Sequence, residues 1–202
     1  MARRVNPEAY AAKRQHILDS AAVLFADQGY ERTTTAHLCA QAGISLGTLY
    51  HYFSGKKQIF LAVLTQDEQG TLALLESLIG TADSLDALVQ FITHLAEPAT
   101  ADPIVPKLVL EAMLQAHRDP EVLAALDKAE SYETEGMKTL LHRAASAGTI
   151  DPELDLDEAA SWINALIGAL FLQAATNSDF DPATHLPHLI RSVRAFLRPP
   201  EH

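Results

Sequence analysis

The sequence predicts an all-α protein, with a three-helix module at the N-terminus and a larger helical bundle after it, about nine helices in all. Three observations carry that prediction. Apolar residues recur at three- and four-residue spacing along most of the chain, and no convincing alternating strand appears. Proline, glycine and short polar residues fall where such helices begin and end. The 202 residues are 48% hydrophobic and 20% charged, an ordinary globular composition in a chain long enough to bury a core.

Asn6-Pro7-Glu8 reads as an N-cap, a proline at the first helical position and an acid in the first turn. The first helix then runs to about Gln28, with Ile17, Ala21 and Phe25 on one face, and Gly29 is placed to end it in the left-handed conformation. A second, two-turn helix starts after Thr33-Thr34-Thr35, capped by Thr34, and ends at Gly43. Ser45 caps a third short helix, Leu46 to about Tyr52. A long fourth helix is expected from Lys56 to Ile79, then others near 84–96, 104–117, 120–147, 156–176 and 186–197. Pro98, Pro103 and Pro106 mark a loop, Gly148 a helix end, and Asp155 or Asp157 a cap. Pro187 fits a first helical turn better than an interior. The expected division is a first domain over 1–55 and a second over 56–202.

Composition and charge exclude several classes. The single cysteine, Cys39, rules out an intrachain disulfide and a multi-cysteine metal site. No apolar run reaches bilayer-spanning length, and Met1 to Gly29 lacks the apolar core of a secretion signal, so the expected location is the cytoplasm, with no membrane partner. The net charge of −11 is uneven: residues 1–60 hold seven basic and four acidic side chains, the remainder eight and twenty-two. A phosphate backbone responds to the local field within a Debye length of about 8–10 Å. The asymmetry therefore permits nucleic-acid binding without arguing for it.

The segment Leu38-Cys39-Ala40-Gln41-Ala42-Gly43-Ile44-Ser45 joins two short helices by a tight turn, a helix-turn-helix signature. Ala42 is small enough for close helix approach, Gly43 takes a positive φ, Ile44 plugs the core and Ser45 caps the next helix. Leu38, Leu49 and Phe53 complete a small core against Phe25 and Leu24. A plain helical hairpin would satisfy the turn alone.

The flanking residues narrow the choice. Gly29-Tyr30, Thr33-Thr34, then Ala42-Gly43-Ile44-Ser45-Leu46-Gly47-Thr48-Leu49-Tyr50-His51-Tyr52-Phe53, with Lys56 and Phe60, closely resemble the DNA-binding segment of TetR-family repressors, over about residues 14–64. The resemblance implies a dimer with an N-terminal DNA-binding domain and a variable ligand-binding domain. By the same resemblance Thr35 meets a phosphate at a helix N-terminus. Ser45, Leu46, Gly47 and Thr48 lead the recognition helix into the major groove, Gly47 by letting the backbone lie close and Thr48 by reaching a base edge or phosphate. Tyr50, His51 and Tyr52 offer phosphate contacts, and Lys56 sits on the DNA backbone. Two departures stand out. Lys57 occupies a position where relatives often carry an acid, which costs about 0.3–1 kcal/mol against the helix dipole unless a phosphate lies nearby. Leu46 replaces a polar base-reading residue and would touch a thymine methyl.

The stretch 156–176 is apolar nearly all round and so must be covered on two sides. With the final helix it suggests an isologous homodimer through the last two helices, at Ala165, Gly168, Ala169, Leu172, Leu189, Val193 and Phe196. A central core helix in a monomer would carry the same pattern. Candidate effector-pocket residues are Phe91, Met113, His117, Tyr132, Met137, Trp162 and Phe171, with Asn164 as a further polar group, although such side chains serve equally as plain core. His94/Glu97 and His185/His188 have i,i+3 spacing but lack a third ligand, so no metal site is expected, nor any cofactor. No catalytic triad order, P-loop or dinucleotide motif appears.

The expected function is thus a homodimeric repressor that binds a palindromic stretch of double-stranded DNA and leaves it when a small apolar or amphipathic effector binds. An effector-free architectural DNA binder and a helical enzyme with a vestigial helix-turn-helix are the alternatives.

Overall fold

The computed structural model describes residues 6–66, 68–80 and 83–199. Among them are eleven helices and no strand: α1 (Pro7–Gln28), α2 (Thr35–Ala42), α3 (Leu46–Tyr52), α4 (Lys56–Leu64), α5 (Glu68–Ile79), α6 (Ser84–Ala96), α7 (Pro98–Ala101), α8 (Ile104–Ala116), α9 (Pro120–Ser146), α10 (Leu156–Thr176) and α11 (Pro182–Leu197). The described residues form two compact units, one within 1–66 with 107–125 and one within 67–106 with 126–202. The expected boundary at 55/56 gives way because α4 packs on α1 and belongs to the first unit, as do most of α8 and the start of α9.

In the first unit the local signals are realised closely. Asn6 Oδ1 accepts from the Glu8 and Ala9 amides and Pro7 occupies the first turn. Thr34 accepts from the His37 amide, Gly43 adopts φ 59, ψ 41, and Ser45 accepts from the Thr48 amide. Gly29 has the positive φ expected of it (81°), but its ψ of 163° is extended rather than left-handed helical. Ile17, Leu18, Phe25, Leu38, Leu49, Ile59 and Phe60 are wholly buried, with Phe25 meeting Phe60 edge-on at 5.0 Å. Ile44 and Leu24 are only half-buried, at the margin of that core.

The expected fourth helix over 56–79 is two helices. Thr65 Oγ1 back-bonds to the Leu61 carbonyl and Gln66 Nε2 to that of Val63, while Gln15 Nε2 holds Gln66 Oε1 at 2.6 Å. Side chains thus take over carbonyls at the end of α4 and compete with its continuation. Asp67 lies outside the described residues.

In the second unit α6 packs on α5, α10 and α11, and α7 fills part of the expected loop. Asp83, Asp155 and Asp181 supply the caps of α6, α10 and α11. Because Asp181 caps and Pro182 opens α11, Pro187 lies inside the helix and not in its first turn, a correction to the sequence expectation. The core gathers Leu88, Phe91, Ile92, Met137, Leu140, Leu141, Ile163 and Val193. Leu189 and Val193 belong to this core and so do not lie on the outer face proposed for dimerisation. Periodicity had found the right stripe of α11 but its side facing α6 and α10 is the one that carries them.

α10 buries Ala159, Ala160, Ile163, Ile167 and Leu170, and exposes Trp162, Ala165, Ala169 and Leu172 along its other side. Gly168 is half-buried, and a Cβ there would meet nothing within 4 Å. By length and composition Leu156–Thr176 suffices to cross a membrane, contrary to the expectation that no run does. Its acids are confined to the first turn, which leaves the rest of the helix apolar.

Candidate DNA-binding interface

α3 is a seven-residue helix held by one fully buried anchor, Leu49, and by its N-cap. Leu49 turns inward, so Leu46 (49% exposed) and Tyr50 (52% exposed) turn outward, with Ser45, Gly47 and His51 beside them. Two large apolar or aromatic side chains on so short a surface helix have no intramolecular task. They form an exposed apolar surface that an outside partner could cover.

Several framework contacts fix this helix against α1 and α2. His16 Nε2 lies 3.0 Å from the Ala42 carbonyl and ties α1 to the end of α2. Tyr52 is half-buried and stacks on Tyr10 of α1 at 4.6 Å, and His51 meets the Tyr10 ring edge-on at 6.0 Å. Arg14 lies 5.2 Å above the Phe53 ring. Thr48 Oγ1 is 2.9 Å from Ser45 Oγ, so that hydroxyl is engaged within its own helix. Gly47 is different. A Cβ placed there would meet only Ser45 Oγ, at 3.9 Å, so nothing inside the chain requires a glycine. Thr35 is half-buried at the first position of α2, where its amide faces the open helix end.

Lys56, expected on the DNA backbone, also has a partner within the chain. Its ammonium donates to the Tyr30 carbonyl at 2.7 Å and lies 4.0 Å over the Tyr30 ring. Burial lowers its proton affinity against the pull of Glu31 and Glu111. The Tyr30 carbonyl follows the end of α1, outside its ladder, and accepts both the Thr33 amide at 3.2 Å and this ammonium. The extra cation Lys57 is likewise met from within the chain, by Glu121 at 2.7 Å and Asp119 at 2.9 Å. Hydrogen bonds that Lys57 donates to Glu121 and Asp119 raise its proton affinity, and Lys57 in turn holds the Asp119 carboxyl below its usual range. The dipole cost expected at Lys57 is offset by these two carboxylates.

Sequence reasoning missed four residues of this framework: Tyr10, Glu111, Asp119 and Glu121. Glu111 Oε1 accepts the Tyr30 amide at 2.8 Å and Gln115 Nε2 at 2.9 Å, clamping the turn between α1 and α2. Its carboxylate lies 3.2 Å from where a Gly29 Cβ would be. The Gly29 signal was legible; its partner eighty residues on was not.

The effector-pocket candidates do not gather into one enclosure. Met113 and His117 are exposed residues of the first unit. In the second unit Tyr132 and Trp162 are about half exposed, and Trp162 lines an open hollow with Asp157, Glu158 and Ser161. Phe91 and Met137 are fully buried and Phe171 packs at the core's edge. Asn164 Nδ2 donates to Thr134 Oγ1 at 2.8 Å. Among the described residues no three His, Cys, Asp or Glu side chains group as metal ligands.

Residues 17–63 match the family of bacterial regulatory proteins named for TetR, and residues 84–198 match the C-terminal family of BetI-type transcriptional repressors. The HTH-type transcriptional regulator UidR of Escherichia coli K12 is 30% identical over 142 residues, covering 70% of this chain and 71% of UidR. The HTH-type transcriptional repressor AcnR of Corynebacterium diphtheriae is 24% identical over 184 residues, 91% of this chain and 92% of AcnR. The solved Bacillus subtilis FadR, in complex with stearoyl-CoA, superposes with a TM-score of 0.75 at 20% identity, covering 90% of this chain and 97% of FadR.

Proposed function

This chain belongs to the TetR family of bacterial DNA-binding transcription regulators, and we propose that it acts in the cytoplasm as a homodimeric repressor, released from a palindromic operator by a small apolar or amphipathic effector. It is a regulator and not an enzyme.

The observation that carries the reading is the outward set of Leu46, Gly47, Tyr50 and His51 on a capped helix whose inner residue is sealed in the core. Leu46 suits a thymine methyl; Tyr50 and His51 suit phosphate oxygens. One such helix makes too few base contacts for specificity, so two copies must read successive major grooves about 34–36 Å apart. The exposed stripe Trp162, Ala165, Ala169 and Leu172 of α10, with the exposed Phe196 of α11, supports pairing of two copies. It is apolar, and its small central residues permit close helix crossing. Repression is supported by the BetI-type C-terminal match and by AcnR, and an amphipathic effector by the stearoyl-CoA bound to FadR. A coupling of about 1–3 kcal/mol would weaken operator binding roughly five- to 150-fold.

The test is titration of the full chain against DNA flanking its own gene at several salt concentrations. Binding should weaken by about 10³–10⁵ between 50 and 200 mM salt if two copies neutralise six to ten phosphates. Salt-indifferent binding, or none to any flanking fragment, would overturn the proposal.

A further inference from the structure

A hollow of about 590 Å³ opens within the first unit, between α1, the end of α3, α4 and the start of α9. Its floor follows from the sequence. Gln58, Leu61, Ala62 and Thr65 stand at i, i+3, i+4 and i+7, so they share one face of α4. Ile59, Phe60 and Val63 on the other face are sealed in the core. Leu61 and Ala62 are half-buried and remain open to the hollow. Ala125 of α9 and the Tyr52 and Phe53 rings complete an apolar and aromatic lining. The Tyr52 ring is fixed by its stack on Tyr10 at 4.6 Å.

Two charged side chains line the hollow, Arg14 and Glu121, and their situations differ. Glu121 is matched: Lys57 meets it at 2.7 Å, and Gln58 Nε2 donates to it at 3.4 Å. Arg14 is not. Its guanidinium lies 5.2 Å over the buried Phe53 ring, and it has no hydrogen bond or ion pair among the described residues. Stacking on a ring face orients a guanidinium and leaves its planar fork of N–H donors unused. Such a fork fits a carboxylate through two parallel hydrogen bonds.

We propose that this hollow is a binding site for a small organic anion, a carboxylate on a flat aromatic body. The carboxylate pairs with Arg14, and the body lies over Leu61, Ala62 and Ala125 beside the rings. A positive charge on the ligand would gain little, because Glu121 already holds Lys57. A duplex phosphate would satisfy Arg14 but make no use of the apolar floor. The site draws on no residue of the second unit and on none of the outward set Leu46, Gly47, Tyr50 and His51. It therefore goes beyond the regulator reading and does not depend on it.

Calorimetric titration of the full chain without DNA tests this, using 2-naphthoate, its neutral analogue 2-naphthamide, and acetate. 2-Naphthoate should bind saturably, the amide at least about tenfold more weakly for want of the charge-assisted pair, and acetate not measurably. Arg14 is exposed, so Arg14→Gln should keep its helical circular dichroism while weakening 2-naphthoate at least about tenfold. Ala125→Trp, which fills the hollow and leaves the guanidinium in place, should weaken it as much. No binding of 2-naphthoate, or equal binding of the amide, would overturn the proposal. Undiminished binding by Arg14→Gln would overturn it by placing the ligand elsewhere in the chain. Loss with Arg14→Gln but not with Ala125→Trp would overturn it by reducing Arg14 to a surface charge. No DNA is present, so failure of the operator titration leaves this result untouched.

Discussion

The two units of this protein depart from structural self-sufficiency in opposite places. The first has surplus at its surface: Leu46, Gly47, Tyr50 and His51 sit on a helix whose caps, core anchor and ring contacts are all supplied by other residues. The second has a misfit inside: Glu133 occupies a stripe that packing alone would fill with an apolar side chain. A folded chain settles polar groups in pairs and apolar groups in the interior, and what violates either rule is retained for a task beyond folding. The candidate DNA face is thus visible as exposed residues without an internal job, and Glu133 as a buried charge without an internal partner among the described residues.

The comparison breaks most sharply at Leu49. It is fully buried and is the one sealed side chain of α3, so Leu49→Ala removes the anchor of a seven-residue helix. Urea denaturation should show a loss of about 2–5 kcal/mol, with DNA binding lost as well. Leu46→Ala, three residues away and half exposed, should leave stability within about 0.5 kcal/mol while weakening DNA binding. If the two substitutions cost similar stability, the division of α3 into a framework side and a presented side is wrong.

Glu133 gives the next effect, of opposite sign. Its folded-state proton affinity lies near pH 7 against an ordinary value of 4.5, so the native chain holds this proton more tightly than the unfolded chain. Stability therefore falls as pH rises from about 4.5 to 7 and stays reduced above that. Glu133→Gln removes the penalty. It should stabilise the protein by about 1–3 kcal/mol at pH 8 and by almost nothing at pH 4. A variant less stable than wild type at pH 8 would mean that the carboxylate is paired and that the interior holds no misfit.

The legibility of the two units differs for the same reason. The turn from Leu38 to Ser45 is local: each cap and the positive φ at Gly43 depends on residues within a few positions, and the structure keeps them all. The intramolecular partner of Lys56, the Tyr30 carbonyl, was not legible because the two meet only after the chain has turned twice. The break after Leu64 carries no glycine or proline; it comes from Thr65 and Gln66 side chains bonding back to the helix. At α11 periodicity located the stripe of Leu189 and Val193 but not its facing, because a spacing of four is indifferent to whether the neighbour is the same chain or another copy. The spacing of Glu133 to Met137 and Leu140 puts it on their side of α9, but spacing alone does not show how deeply that side is buried.

Gly47 sharpens the comparison with the smallest effect. It is the second residue of α3, its φ is negative, and a Cβ there would find only Ser45 Oγ at 3.9 Å. Folding alone therefore favours alanine, which loses less backbone entropy in a helix. Gly47→Ala should raise stability by about 0.5–1 kcal/mol, read as a higher urea midpoint with an unchanged slope. The same substitution should weaken DNA binding, because the added methyl projects from the presented side of the helix, where the backbone lies against the duplex. Opposite movement of the two quantities is what a surface residue kept for an outside partner requires. A variant that gains stability and binds operator unchanged would place the duplex elsewhere on α3, against Tyr50 and His51, and leave the glycine without a role.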